Sequence, residues 1–171
     1  MQRPEAYIDF AVYEDSVDLI GIAKVTLPAI TYMLVSITGA GVGGTVETPL
    51  AGMIDAMTMT MNFHSATGAA ASLAAPKKHQ IDLRAAEQHW NTTTVDKEVI
   101  ADKYVLTIVP KSFSPGTVAP ASASDASGEY SVYYYAAYKD GETLWEIDPF
   151  NQIFTVMGVD YWADIRKALG K

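Results

Sequence analysis

Cysteine is missing from this sequence of 171 residues. Disulfide bonds and thiolate-bound zinc are therefore excluded, so a hydrophobic core or subunit association has to supply the stability. No Gly-x-Ser-x-Gly elbow is present either, which removes the usual signature of a serine nucleophile.

Basic charge and long apolar runs are also scarce. The formal net charge is −8, and an acidic chain is poorly suited to grip nucleic acid, because duplex DNA is bound mainly by Lys and Arg. No apolar run approaches the ~20 residues of a membrane-spanning helix, and residues 1–5 show no secretory signal. Hydrophobic residues at 49% exclude a disordered chain. We expect one water-soluble domain over residues 1–171, synthesised in the cytoplasm, without membrane insertion.

Two patterns resemble ligand sites, but the residues around them argue against that function. The glycines of residues 39–44 fit the spacing of a dinucleotide-binding loop, but residues 45–49 are β-branched and proline-broken rather than helical. His64, His79 and His89 show none of the close spacing with carboxylates that a helical metal site displays. We predict no cofactor, no metal and no catalytic residue.

Aromatic and acidic side chains concentrate near the C-terminus. Glu146 and Asp148 share one strand face, where a solvated or intersubunit role is commoner than glycosidase chemistry. The tyrosine cluster could line a sugar site or cover a core or an interface, and the second role is more frequent. Its members are Tyr130, Tyr133, Tyr134, Tyr135 and Tyr138.

Most of the chain predicts β-strands bounded by turn residues. The predicted strands cover residues 7–13, 19–27, 30–38, 57–64, 80–90, 98–109, 129–138, 143–148 and 151–157. An alanine-rich stretch at 66–75 predicts a short central helix, with Ser65 or Thr67 as its cap, and 160–169 predicts a terminal helix capped by Asp160. The fold class is therefore antiparallel β, a sandwich or barrel.

The clearest alternation lies in residues 57–64, with methionines on one face and Thr58, Thr60 and Asn62 on the other. The strand at 30–38 is apolar on both faces, which predicts that it is covered on two sides. Residues 39–52 are rich in glycine and poor in charge, so we predict a loop covered by a partner, whereas 112–127 predicts an exposed loop.

An Asp-Gly turn at Asp140–Gly141 joins two strands and begins an ordered C-terminal series of hairpin, strand, glycine turn and helix. This series, through Gly158 and Asp160 to Arg166, resembles the major tail tube proteins of contractile-tailed bacteriophages and R-type bacteriocins. Residues 21–28 and 39–44 are similar to the N-terminal half of the same family.

The resemblance implies hexameric rings that stack into a tube inside a contractile sheath, each chain giving strands to a multi-subunit inner β-barrel. It implies a structural protein, not an enzyme, in a conduit for DNA or ions. The implied partners are further copies of the chain, the tail sheath protein, the baseplate hub and tail terminator proteins, the tape measure protein, and DNA in transit without specific binding.

Under this interpretation, residues 39–54 form an inter-ring loop, and the terminal helix packs on the sandwich or on a neighbour. The predicted contact residues are Val42, Val46, Leu50, Met53, Ile54, Tyr161 and Ile165. The predicted lumen-facing residues are Thr58, Thr60, Asn62, Asp82 and Arg84. A wet face exposed to ordinary solvent explains the second group equally well.

A monomeric β-sandwich module for carbohydrate is the main alternative, with the tyrosine cluster as its platform. A lipocalin-like ligand barrel is a weaker one. The carbohydrate module requires a monomer, in which the apolar residues of the 39–54 region would be exposed to water at a cost.

Overall fold

The computed structural model describes all 171 residues, Met1–Lys171, as antiparallel strands with two short helices. The strands are β1 (Gln2–Glu14), β2 (Val17–Asp18), β3 (Ile22–Thr26), β4 (Tyr32–Ile37), β5 (Val46–Ile54), β6 (Met57–Phe63), β7 (His79–Asn91), β8 (Asp96–Ser114), β9 (Ala126–Lys139), β10 (Glu142–Asp148), β11 (Ile153–Val156) and β12 (Val159–Asp160). The helices are α1 (Gly68–Leu73) and α2 (Ala163–Ala168), and neither is long and apolar enough to cross a membrane.

Ten of the strands form one antiparallel sheet, in the order β12-β11-β10-β9-β8-β7-β1-β2, with β6 and β3 added beside β9. One edge of β9 is shared, because β6 pairs with its first half and β10 with its second half. Register shifts in the β8–β9 pair lie between Thr107 and Ile108 and between Pro110 and Ser112. Such bulges bend long strands, which lets a single sheet wrap around its own core.

The core lies on the inner side of this sheet. Met57, Met59, Met61 and Phe63 of β6 are all buried, as the alternation in the sequence predicts. They pack with residues of β7, β8, β9 and β10 and with Leu73 of α1 in one cluster of 20 buried side chains. Burial of each large apolar side chain contributes about 1.5–3 kcal/mol, so β6 is a principal source of stability.

Two local predictions are confirmed. Thr67 caps α1, because its side-chain oxygen accepts the Ala70 N–H at 3.2 Å. The β9–β10 hairpin turns at Asp140 and Gly141, whose φ angles are 49° and 82°. Positive φ at both turn residues matches the right-handed twist of the two strands, and glycine and aspartate tolerate that conformation best.

The loop predicted over residues 39–52 is wrong in its second half. Strand β5 occupies Val46–Ile54 and pairs with β4, placing Thr48 opposite Val35 and Pro49 opposite Leu34. The glycines and Pro49 are typical of a loop, so the sequence pattern does not indicate this strand. Pro49 is tolerated because β5 is an edge strand, where its missing N–H breaks no pairing. The two strands form a separate two-stranded sheet, which we call the β4–β5 hairpin, Tyr32–Ile54. The strand predicted at 30–38 is exposed in the single chain and not covered on two sides.

The terminal helix is shorter than the predicted 160–169. Asp160 is not its N-cap but lies in β12, where its carboxylate accepts the Trp162 N–H at 2.9 Å and pairs with Arg166. No residue of α2 is buried. Trp162, the residue before the helix, packs against the core instead. The exposed loop at 112–127 narrows to residues 115–125, since β8 continues through Ser114.

Candidate assembly surfaces

The β4–β5 hairpin exposes apolar side chains on both of its faces. Leu34 and Val35 are neighbours that point to opposite faces, and they are 58% and 42% exposed. Of the predicted contact residues, Val42, Val46, Leu50 and Met53 are exposed, whereas Ile54 is half-buried against the core. Glu47 is the one charged residue in the hairpin.

The base of the hairpin rests on the C-terminal segment. The Trp162 indole N–H donates to the Gly52 carbonyl at 2.8 Å. Tyr32 packs on Phe154 at a centroid distance of 5.9 Å, and Phe154 packs on Tyr161 at 6.1 Å. The predicted contact residue Tyr161 thus lies beside the hairpin base and is about half exposed.

The predicted packing face of the terminal helix is mostly exposed to solvent. Leu169 is 58% exposed and Ala168 is also exposed, while Ile165 is half-buried. The side chain that packs on the core from this segment is Trp162, which the sequence pattern did not single out. Helical spacing was a poor guide here because α2 is only six residues long.

A polar surface covers the outer side of the sheet around β6. Thr58, Thr60 and Asn62 are half-buried and stand opposite Ser131, Glu129 and Ser127 of β9. On the other edge, Lys24 and Thr26 of β3 stand opposite Asn62 and Thr60. The Lys111 ammonium donates to the Thr58 hydroxyl at 3.1 Å.

Asp82 and Arg84 lie on the same outer side of the sheet but on β7, which β8 and β9 separate from β6. Arg84 donates to Asp82 at 3.0 Å and lies over the Tyr13 ring at 5.3 Å. Hydrogen bonding to Asp82 raises the pKa of the Arg84 guanidinium. These residues line an open hollow of about 810 Å³ with Lys103 and Tyr134, and no hydrogen bond joins them to the threonine group.

A family model for phage tail tube protein FII matches residues 4–170 of this chain. The chain belongs to this tail tube family. The resemblance noted from the C-terminal turns is therefore confirmed, and the mainly β, antiparallel fold agrees with it. The family is a structural one and places its members in the tube of a phage-like contractile particle.

One solved structure supports the fold of this tail tube family member. The chain superposes with a TM-score of 0.56 on the sheath/tube terminator of an extracellular contractile injection system, PVC, in its extended state. The two are 13% identical over 80% of this chain and 97% of that one. A PVC sheath-tube complex in the extended state gives a TM-score of 0.48 at 15% identity, over 76% and 86% of the two chains. No curated protein sequence matches significantly.

The tyrosine cluster of this tail tube chain does not form one platform. Tyr130 and Tyr135 are buried in the core, while Tyr134 and Tyr138 lie half-buried on the outer face. Tyr133 is exposed and packs edge-on against Phe150 at 5.5 Å. The β-bulge region near Thr107 explains the split, because one extra residue in β9 reverses which side chains point inward.

Two of the three histidine side chains have structural partners. His79 lies at the start of β7, and its Nε2 donates to the Ala75 carbonyl at 3.0 Å while its Nδ1 contacts Glu14. His89 donates from Nε2 to Glu87 at 2.9 Å. His64 is exposed.

A buried ionic cluster on β7, β8 and β9 is absent from the residues that the sequence singled out as candidates. Glu87 binds both His89 and Lys139, and the Lys139 ammonium lies 3.7 Å from Asp102, whose other oxygen accepts the Tyr7 hydroxyl at 3.0 Å. Burial alone would raise the pKa of Glu87, but the hydrogen bonds from His89 and Lys139 lower it. The hydrogen bond to Glu87 raises the pKa of Lys139. The alternation of β7 indicates this cluster in the sequence. Glu87 and His89 occupy the same strand face as the buried Ile81 and Leu83.

Proposed function

We propose that this protein is the subunit of the inner tube of a contractile phage tail or phage-tail-like particle. Copies form hexameric rings, the rings stack, and the resulting tube conducts DNA or ions into the target cell. The support is the family match over residues 4–170 together with the exposed β4–β5 hairpin.

The hairpin is the observation that carries the proposal. An isolated two-stranded hairpin is marginally stable in water, and an exposed apolar patch of this kind marks an interaction site. Its exposed apolar side chains are Tyr32, Met33, Leu34, Val35, Ile37, Val42, Val46, Leu50 and Met53. Contact with a neighbouring copy would remove them from water, as a stacked assembly requires.

A tube wide enough to conduct DNA also requires strands from several chains. A barrel of about eight strands is filled by its own side chains, and an aqueous channel needs about sixteen or more. Strand β3 pairs only with β6 and leaves its other edge free. A neighbour in the ring can add a strand there, so that β3, β6 and the adjoining parts of β9 and β8 continue from one subunit to the next.

In this arrangement we assign the outer surface of β6 to the lumen, with Thr58, Thr60 and Asn62 as its lining. Asp82 and Arg84 lie on the same side of the sheet and form a second part of that lining. The hydroxyl and amide groups bear no charge, Arg84 is paired with Asp82, and Lys111 donates to the Thr58 hydroxyl. The net charge of −8 adds a weak repulsion of passing phosphates. DNA would therefore pass without specific binding.

The partners follow from the position of a tube inside a contractile tail. Besides further copies of the chain, they are the tail sheath protein, the baseplate hub and tail terminator proteins, and the tape measure protein. The protein would be synthesised and assembled in the bacterial host cytoplasm and would not insert into a membrane. It has no catalytic role in this function.

The test is imaging of the purified protein by negative-stain electron microscopy after size-exclusion chromatography. Rings and tubes are expected from the unmodified chain. Val46→Glu with Leu50→Glu should keep the fold, because both side chains are exposed, and should abolish tubes. Val95→Glu changes a side chain that is 68% exposed in the β7–β8 turn and serves as the matched control. A chain that stays monomeric at all concentrations would refute the proposal.

A further inference from the structure

His79 is the most deeply buried of the three histidines, and both of its ring nitrogens have partners. Nε2 lies 3.0 Å from the carbonyl oxygen of Ala75, in the segment 74–78 between α1 and β7, which we call the α1–β7 linker. Nδ1 contacts the carboxyl group of Glu14, the last residue of β1. One side chain therefore joins the linker to two neighbouring strands of the sheet.

These two contacts require two hydrogens on the His79–Glu14 pair. A carbonyl oxygen only accepts hydrogen bonds, so Nε2 has to carry a hydrogen. The contact between Nδ1 and the carboxyl group needs a second hydrogen, which rests either on the imidazole or on Glu14. A neutral imidazole and an ionised carboxylate together hold only one. The geometry thus describes a pair that has taken up one extra proton and has no net charge.

The surroundings of the pair favour this uncharged state. The His79 side chain is 0% exposed and that of Glu14 is 16% exposed. His79 begins a row across the sheet whose other members, Ile108, Val132 and Met57, are apolar and buried. Helix α1 and strand β6 contain no titratable side chain. A single negative charge is costly in such surroundings, whereas a hydrogen-bonded pair without net charge is tolerated.

The other titratable groups near the pair add no buried charge at neutral pH. Tyr130 of β9 lies close enough to Glu14 to be affected by it, and burial, followed by the Glu14 charge, raises the pKa of Tyr130 to about 12. Its hydroxyl is therefore neutral when the pair titrates. The charged neighbours along the chain are exposed and form no ion pair: Asp15, Lys77 and Lys78.

Loss of the extra proton breaks one of the two contacts. The remaining hydrogen stays on Nδ1, because a buried carboxylate repels a bare nitrogen lone pair. Nε2 then presents its own lone pair to the Ala75 carbonyl, and that contact becomes repulsive. The carbonyl keeps the Lys77 N–H as its donor, at 2.7 Å. The linker thus retains its internal turn but loses its attachment to β7.

We propose that His79 and Glu14 form a proton-dependent latch, which holds the α1–β7 linker on the sheet while the pair has its second hydrogen and releases the linker when that hydrogen is lost. The latch acts within one subunit and does not depend on assembly. Release frees the C-terminal end of α1, whose Leu73 is fully buried in the core.

The sign of the pH dependence follows from the proton count. Between about pH 5 and pH 6.5 an unfolded histidine also carries the extra proton, so the contribution of the latch to stability is fully present. At higher pH the unfolded histidine has lost that proton, and closing the latch has to take one up. The contribution therefore disappears as the pH rises.

Hydrogen exchange of the full-length chain, followed by mass spectrometry, tests the latch. After correction for the intrinsic exchange rate, protection of residues 74–79 should fall by about tenfold or more between about pH 6 and about pH 9. Nitrogen NMR of histidine-labelled protein should show Nε2 of His79 losing its hydrogen over the same range, while Nδ1 keeps one.

Glu14→Gln separates the latch from a merely structural contact. The glutamine amide can donate to Nδ1 of a neutral imidazole, so Nε2 keeps its hydrogen and both contacts persist without an extra proton. Protection of the linker in this variant should be high and independent of pH. His64→Gln changes an exposed histidine and is the matched control, which should keep the pH dependence of the unmodified chain.

Several results would overturn the latch. Linker protection that is constant with pH in the unmodified chain would do so, as would a hydrogen that remains on Nε2 while the linker opens. A Glu14→Gln variant with the full pH dependence would also contradict it. Loss of the dependence in His64→Gln would assign the effect to the exposed histidine. The NMR measurement uses the unmodified chain, so it decides the question even if a variant fails to fold.

Discussion

The indole N–H of Trp162 donates to the carbonyl of Gly52 at 2.8 Å, across 110 residues of sequence. Gly52 has a φ of +72°, and a Cβ at this position would lie 2.6 Å from the indole nitrogen. The tryptophan therefore rests directly on the backbone of β5. This contact ties the C-terminal segment to the base of the β4–β5 hairpin and sets the direction in which the hairpin leaves the body.

Gly52→Ala should destabilise the protein more than a glycine substitution elsewhere in the hairpin. The left-handed backbone costs a non-glycine residue about 1–2 kcal/mol, and displacement of Trp162 adds to that cost. Gly41→Ala has a similar φ of +89° but meets no atom within 4 Å, so it isolates the backbone contribution. Urea unfolding of both variants measures the difference. Equal losses of unfolding free energy would show that the indole is free to move away.

Trp162→Ala should weaken the C-terminal segment far more than Ile165→Ala. Trp162 packs against the core and holds a hydrogen bond, whereas Ile165 is half-buried on a helix with no buried residue. We expect a loss of about 2–3 kcal/mol for the tryptophan and under about 1 kcal/mol for the isoleucine. Thermal melting of the two variants provides the comparison. A larger effect at Ile165 would mean that the assembled tube, and not Trp162, anchors the helix.

Thr58→Lys combined with Thr60→Lys should slow DNA passage and leave tube assembly intact. Each lysine on the proposed lumenal face would add a phosphate contact, and the slowing should weaken as salt rises. Ejection kinetics from assembled particles at several salt concentrations measure this effect. Thr94→Lys, at an exposed position in the β7–β8 turn, is the control. Unchanged ejection in the double variant would place the threonine face outside the lumen.

Stability should fall as the pH drops from about 5 towards 3. Hydrogen bonds lower the pKa of Glu87, and the Arg166 hydrogen bond, with the Trp162 N–H, lowers the pKa of Asp160. A carboxyl group with a lowered folded pKa stabilises the protein above its unfolded pKa of about 4, and this contribution disappears as the pH falls through the folded pKa.

Glu87→Gln provides the check on that pH dependence. The variant should melt at a lower temperature at pH 7, because Lys139 then loses its charged partner, and its melting temperature should fall less steeply in acid. Glu142→Gln, at an exposed turn residue, should keep the acid slope of the unmodified chain. A Glu87→Gln variant with the full acid slope would assign the effect to other carboxyl groups.

Local sequence patterns predicted the elements whose side chains follow one period. Met57–Phe63 alternates between apolar and polar residues, and the structure places them inside and outside as expected. Thr67 and the Asp140–Gly141 turn are also local devices, since a cap and a tight turn depend on only a few neighbouring residues. The same local turns led to the tail tube family, which the match over residues 4–170 confirms.

Pairing between distant segments produces the features that local patterns do not predict. The strand β5 exists because Val46–Ile54 finds a partner in β4, although its glycines and Pro49 resemble a loop. Glu87, Asp102 and Lys139 come from three different strands, so only the register of the sheet unites them. The sequence by itself determined the antiparallel class, the methionine core face and the family, because these depend on short-range periodicity and turn chemistry. The tertiary structure decided which apolar surfaces remain uncovered, because burial is a property of the whole packed chain.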